Sequence, residues 1–318
     1  MLRAVPGTSR ESFTPNAGGL VYGIAAYAIW GLFPLFWPLL EPANALEILA
    51  CRVLFSLIVV GVILAVRREL RGVRAMQRGT VLRLCAAGVA IAVNWGIYIW
   101  GVNNGHVIET SLGYFINPLV TIGLGVVLLH ERLRTVQWMA VGLGVVAVVV
   151  LSVDYGRPPW IALALACSFA TYGFIKKGVR ASPPEGLLVE GAVLTVPALV
   201  LLGALALTGG ATWVGHDANP GHLALLVSAG PITALPLLFF AGAATRLPLS
   251  TMGLLQYLTP VMQFAIGVLI LREATSFALL CGFALVWIAL AILAVDGIRH
   301  RNQRPHASSH QRASDPAA

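Results

Sequence analysis

Ten apolar runs, each near the length of one membrane crossing, follow one another at 19–40, 44–66, 80–102, 107–129, 136–153, 159–176, 186–207, 221–243, 250–271 and 277–295. A helix rises about 1.5 Å per residue through a hydrocarbon core about 30 Å thick, so one crossing takes about 20 residues. In lipid a spanning element must satisfy its own backbone hydrogen bonds, which predicts α-helices; the alternating strands of a barrel are missing from the pattern. Composition agrees, with 58% hydrophobic and 11% charged residues against about 25% charged in soluble domains. No stretch between runs has the length of a soluble catalytic or nucleic-acid-binding domain, so the net charge of +8 is read by position and not as an affinity for nucleic acid.

Ten spans put both termini on one side. Of the 21 Lys and Arg, 17 fall before Gly19, in 67–79, 130–135, 176–185 and 244–249, or after Val295, the segments facing that side. Arg157 and Arg272 lie in opposite loops, and Arg52 and Arg83 inside spans. The positive-inside rule then makes both termini cytoplasmic. Residues 1–18 read as a cytoplasmic N-terminal segment and 296–318 as a cytoplasmic, basic, disordered tail suited to anionic lipid. The first run is too long for a signal-peptide core and reads as a retained span. Cys51, Cys85, Cys167 and Cys281 sit apart within apolar runs, as small buried hydrophobes do, so neither a disulfide framework nor a zinc site is expected.

Compared with itself at a shift of 142 residues, the chain places Pro118 on Pro260, Gly125 on Gly267, Val126 on Val268, Leu129 on Leu271 and Glu131 on Glu273. The same shift lays Ala28-Ile29-Trp30-Gly31 on Ala170-Thr171-Tyr172-Gly173. Five spans per half is an odd number, so the second copy enters from the opposite face. The expected fold is therefore an all-α membrane protein of ten transmembrane helices in two inverted five-helix repeats, 19–153 and 159–295.

Inverted repeats of this kind bind substrate near the bilayer midplane, where matched helices are broken. Pro118 and Pro260 are a matched pair, and each deprives the carbonyl four residues earlier, that of Tyr114 or Gln256, of its helical donor. Asn117, Tyr257, Thr259 and Gln263 gather around them; a kink that only shapes packing is the alternative. Asn94 is deep in the third span, with Trp95 and Tyr98 on nearly one face. Aromatics near a span end, Trp100 among them, also serve as interfacial anchors, an explanation that fits Trp30 and Tyr172 less well because they are mid-span and matched by the repeat.

Charges inside spans are costly and become functional candidates: Glu47, Arg52, Arg83, Glu109 and Glu190. Arg83, about a turn from the cytoplasmic edge, can snorkel. Arg52 lies about 12 Å below the outer edge and needs either a carboxylate partner, with Glu47 and Glu109 entering from the same side, or an anionic substrate. Glu190 enters from the cytoplasmic side. Proton coupling is a further role open to these charges.

No P-loop, GxSxG elbow or paired-aspartate prenyltransferase motif occurs, and in the zincin-like His130-Glu131 the second histidine is replaced by Arg134. Catalytic residues, cofactor and metal are not expected. Gly19 and Gly23 form a GxxxG, which among 33 glycines does not by itself support a homodimer.

Ala25-Ala26-Tyr27-Ala28-Ile29-Trp30-Gly31 with Pro34, Glu47-Ile48-Leu49 with Arg52, Asn94-Trp95 with Trp100, Asn103-Asn104, and above all Glu109-Thr110-Ser111-Leu112-Gly113-Tyr114-Phe115-Ile116-Asn117-Pro118 resemble the RarD-type branch of the EamA family. Gln256-Tyr257 with Pro260, and Ala244-Thr245-Arg246-Leu247 before Ser250-Thr251, extend the match across about 19–297. The resemblance implies the drug/metabolite transporter superfamily, two inverted EamA repeats around a central substrate cavity, and the bacterial inner membrane. Family names of the type "chloramphenicol-sensitive protein" identify no physiological substrate. Arg272-Glu273-Ala274 departs from the Gly-Glu-Pro more usual there, which puts the geometry of an outer turn in question.

The expectation is a secondary transporter, exporter or permease, for a small polar or amphipathic metabolite or drug, with the lipid bilayer as its other partner. Its cavity residues would be Trp30, Arg52, Asn94, Trp95, Tyr114, Asn117, Pro118, Tyr172, Gln256, Tyr257, Pro260 and Gln263. Glu47, Arg52, Glu109 and Glu190 would form charge pairs or couple transport. The rival is a membrane-embedded partner or sensor that moves nothing.

Overall fold

The computed structural model describes residues 17–130, 132–179, 181–214, 219–247 and 249–302. Residues 1–16, Glu131, Asp217 and the tail after Asn302 lie outside the described residues. Those described are helical, with no strand among them. Helix α1 (Ala17–Gly31) is followed by the short α2 (Phe33–Phe36) and a 3-10 turn (Trp37–Leu40). Then come α3 (Ala45–Val66), the short α4 (Leu70–Arg74), α5 (Arg78–Asn103), α6 (Val107–Leu129) and α7 (Thr135–Tyr155). A second series holds α8 (Trp160–Lys177), α9 (Pro183–Thr208), α10 (Pro220–Ala244), α11 (Leu249–Leu255), α12 (Leu258–Ala265) with a π-helical turn (Ile266–Ile270), and α13 (Phe277–Asn302).

Eight spans among the described residues are long and apolar enough to cross a membrane, and up to nine if the first helix and its continuation, bent by 42°, make one. The 18-residue α8, which ends in Lys176 and Lys177, is not among them. Large apolar side chains face outward, Leu207 at 90% and Phe277 at 83% exposure among them, as a lipid-facing surface requires.

Local chemistry sets the helix ends. Asn44 caps α3, its Oδ1 accepting from the N–H of Leu46 at 3.0 Å and of Glu47 at 2.9 Å. Ser182 and Glu185 form a capping box on α9. Gly156 and Gly209, at φ 63° and 72°, stop α7 and α9 in the left-handed conformation that glycine takes without strain.

The breaks differ from those expected. Pro118 lies inside α6, which runs on without interruption from Val107 to Leu129. Pro260 is the third residue of α12, where a backbone N–H has no intrahelical partner, so the proline removes nothing. The chain breaks just ahead of it, at Gln256-Tyr257. The other break follows Gly31, where Pro34 cannot donate to the Trp30 carbonyl. These two breaks are not related by the 142-residue shift; the helix before the first, α1, packs on the helix after the second, α12.

Each long helix packs chiefly on one from the other series: α1 on α10, α3 on α9 and α10, α5 and α6 on α8, and α7 on α13. The GxxxG face is used inside the chain. A Cβ at Gly23 would stand 2.6 Å from Leu255 Cδ1, and one at Gly19 2.9 Å from Arg246 Cβ.

Candidate functional site

Arg52 sits on α3 with 3% exposure. Its guanidinium carbon lies 3.9 Å from the centroid of the Trp95 ring, 5.0 Å from that of Trp37 and 5.5 Å from that of Phe33. A desolvated cation over an aromatic face gains about 2 kcal/mol, so the rings hold the charge in place. They do not pair its donors. Nε and Nη1 are buried without a hydrogen-bond partner among the described residues, as is the indole Nε1 of Trp37.

The carboxylates expected to face Arg52 are engaged elsewhere. Glu47, five residues earlier, points about 140° away around the helix. Fully buried, it accepts from the Thr212 N–H at 2.9 Å and the Thr212 hydroxyl at 3.0 Å, the latter 2.8 Å from His222 Nε2. Glu109, 4% exposed, pairs with Arg157 at 3.1 Å and accepts from the Ile161 N–H at the start of α8. The Arg–Glu pair read into the sequence therefore exists, with Arg157 as its cation in place of Arg52. Glu190 accepts from Lys176 Nζ at 2.6 Å and from the Tyr172 hydroxyl at 3.4 Å. Arg83 donates to the Gly178 carbonyl just after α8.

Next to Arg52 a string of buried polar groups crosses from one series of helices to the other. Gln263 Nε2 donates to the Trp30 carbonyl at 3.1 Å and to the Tyr98 hydroxyl at 2.9 Å. That carbonyl is the one Pro34 leaves without a helical donor. Tyr98 meets Tyr114 edge-on, with ring centroids 5.7 Å apart. The Tyr114 hydroxyl donates to Asn94 Oδ1 at 3.1 Å, and Asn94 Nδ2 donates to the Leu165 carbonyl and Ser168 Oγ on α8. Ser111 and Thr259 bond the carbonyls of Pro260 and Tyr27.

Of the residues read from the sequence, Arg52, Trp95, Asn94, Tyr114, Gln263 and the Trp30 backbone come together here. Others stand apart. The Trp30 ring packs on Tyr27 and Phe240; Tyr257 packs beside Phe264 and Phe283; Gln256 is exposed; and Tyr172 serves Glu190. Asn117, beside Pro118, keeps a buried Oδ1 without a partner. Phe33, Trp37 and Ser168 were not anticipated. Pro34, four residues after Trp30, was the available signal for the freed carbonyl.

At one end of the helices a cavity of about 310 Å³ is lined by His106, Glu109, Tyr155, Arg157 and Glu273, among others. Both Glu273 oxygens accept from the first N–H groups of α6, Val107 at 2.6 Å and Ile108 at 2.9 Å, where a carboxylate also meets the positive end of the helix dipole. Arg272, at φ 53°, takes the left-handed turn that a glycine would make at lower cost. Among the described residues no group of three or more His, Cys, Asp or Glu could hold a metal.

The EamA-like transporter family model matches residues 17–153. A protein named RarD from Streptomyces exfoliatus is 54% identical over 283 residues, covering 88% of this chain and 89% of its own. An uncharacterised transporter of Pseudomonas aeruginosa is 41% identical, covering 90% and 96%, and a RarD protein of Escherichia coli is 40% identical, covering 88% and 95%. A solved crystal structure shares the fold at a TM-score of 0.55 with 19% sequence identity, over 89% of this chain and 99% of its own.

Proposed function

The chain is a RarD-type member of the EamA-like transporter family, and from that premise we propose that it is a secondary transporter of a small polar or amphipathic metabolite, working by alternating access between two inverted five-helix repeats. The observation that carries this reading is the polar string from Gln263 through Tyr98, Tyr114 and Asn94 to Ser168, buried where helices of both series meet. A scaffold gains nothing from buried polar groups in lipid, whereas a transporter needs them at the seam that opens.

The repeat reading is supported by helix starts that recur at the same 142-residue spacing: Arg78 and Pro220, Val107 and Leu249, Thr135 and Phe277. Exchanging the series also maps the packing onto itself. α1 on α10 becomes α8 on α5, while α3–α9, α6–α12 and α7–α13 are their own counterparts. With α8 and the bent first helix as spans the total is ten, and the units are 19–153 and 159–295. The family resemblance then makes the membrane the bacterial inner one, and the charge bias makes both termini cytoplasmic. A maleimide that cannot cross membranes should label Asp217→Cys from outside intact cells, in a variant lacking the four native cysteines; labelling at Gly72→Cys in its place would reverse the topology.

Transport is tested with the purified protein in proteoliposomes given a metabolite extract, with the contents analysed against empty vesicles. Enrichment or depletion of defined small molecules is expected. A properly inserted protein that changes nothing, with either orientation and with or without a proton gradient, would favour the sensor reading.

A further inference from the structure

Around Arg52 the donors outnumber the acceptors. Nε and Nη1 of Arg52 and Nε1 of Trp37 are buried and unpaired, with Arg52 97% and Trp37 fully inaccessible. Buried N–H groups are rarely left unpaired, and those on a cation least of all. The nearby carboxylates face other partners: Glu47, about 140° around the helix, accepts from Thr212 through Oε1 and keeps Oε2 buried and unpaired, and Glu109 pairs with Arg157. The rings of Trp95, Trp37 and Phe33 steady the charge but offer no lone pair.

The geometry points to a substrate anion as the acceptor: the transported molecule carries a carboxylate or phosphate group that Arg52 binds, with the Trp37 indole as a further donor. This rests on the transporter reading and adds the chemical class of what is moved. The aromatic walls give the rest of the molecule an apolar surface, so one site takes a charged head and an apolar body. Glu47 contributes by staying with Thr212, since a carboxylate on Arg52 would occupy the same donors. The unpaired Oε1 of Gln263, beside the Tyr98 hydroxyl, is an acceptor for a hydroxyl or amino group on the same substrate.

The test measures the melting midpoint of the full-length protein in detergent, at constant ionic strength set with chloride. The probes are acetate, butyrate, benzoate and phenylacetate, their neutral primary amides, and inorganic phosphate. At least one anion should raise the midpoint saturably while its amide does not; a carboxylate-only response assigns a carboxylic acid and a phosphate-only response a phosphate. In Arg52→Gln the half-saturating concentration should rise about tenfold or more, the scale of a charged hydrogen bond. Trp37→Phe keeps an aromatic ring, a phenyl in place of the indole, removes one donor and should weaken binding several-fold; it carries the test if Arg52→Gln does not fold. The proposal is overturned if no anion acts on the wild type, if the amides act equally, or if Trp37→Phe and every folded Arg52 variant respond like the wild type. Proteoliposomes separate the two readings. Movement of neutral amides but not acids would leave transport standing and remove the anion site, whereas anion binding without movement of any solute would do the reverse.

Discussion

Lys176→Met should lower the stability of the folded protein by about 3 kcal/mol, and adding Glu190→Gln should restore most of it. Glu190 is 2% exposed and its partner Lys176 26% exposed, 2.6 Å apart. Removing one member of a buried pair strands the other charge, at a cost of about 3–5 kcal/mol; the partial exposure of Lys176 argues for the lower end. The Tyr172 hydroxyl, at 3.4 Å, is a neutral donor and cannot replace the ammonium. Glutamine in place of Glu190 keeps an oxygen for Tyr172 and carries no charge to strand. Unfolding of the purified variants in detergent by denaturant checks this. Equal midpoints for the wild type and Lys176→Met would mean that water already reaches Glu190.

The second large effect is expected at Asn94. Asn94→Leu has the same branching and number of side-chain heavy atoms but takes the acceptor from the Tyr114 hydroxyl and the donor from Ser168 and the Leu165 carbonyl. A buried hydroxyl left unpaired costs about 1–3 kcal/mol, and Tyr114 would lose what fixes its edge-on contact with Tyr98. Initial transport rate per folded molecule should fall about tenfold, the kinetic equivalent of about 1.4 kcal/mol. Asn117→Leu is the control: its Oδ1 is buried without a partner, so the change should leave stability equal or higher. If both variants transport alike, the polar string is not part of the moving seam.

The helices were legible because lipid asks chiefly for apolar length, and their ends follow capping chemistry that a local reading can find, such as Asn44 before α3 and Gly209 after α9. The prolines were misread for a related reason. What a proline does depends on its place: Pro118 stands inside an unbroken α6, whereas Pro34 and Pro260 stand in the first turns that follow the two breaks, and the Trp30 carbonyl four residues before Pro34 is taken up by Gln263. For Arg52 the sequence leaves a carboxylate and an anionic substrate both open, and proximity along the chain does not decide between them. Glu47 is close in sequence but lies around the helix, and Arg157 reaches Glu109 from a loop 48 residues on. Residue types marked Asn94, Tyr114 and Gln263 as unusual in lipid, while the bond from Gln263 to Tyr98 spans 165 residues of sequence and needs the fold.

The interleaving of the two helix series constrains how such a chain can be made. Every long helix up to α7 has its chief packing partner in a segment from α8 onward. Before the ribosome translates that later segment, Glu47 and Asn94 have already been made, and the fold's partners Thr212, Leu165 and Ser168 have not. Polar groups that cannot rest against acyl chains must then be held by water, by the insertion machinery or by one another. The early product is thus an incomplete intermediate of the kind that cellular quality control removes, and synthesis to near the end of α13 is a condition for release as well as for activity.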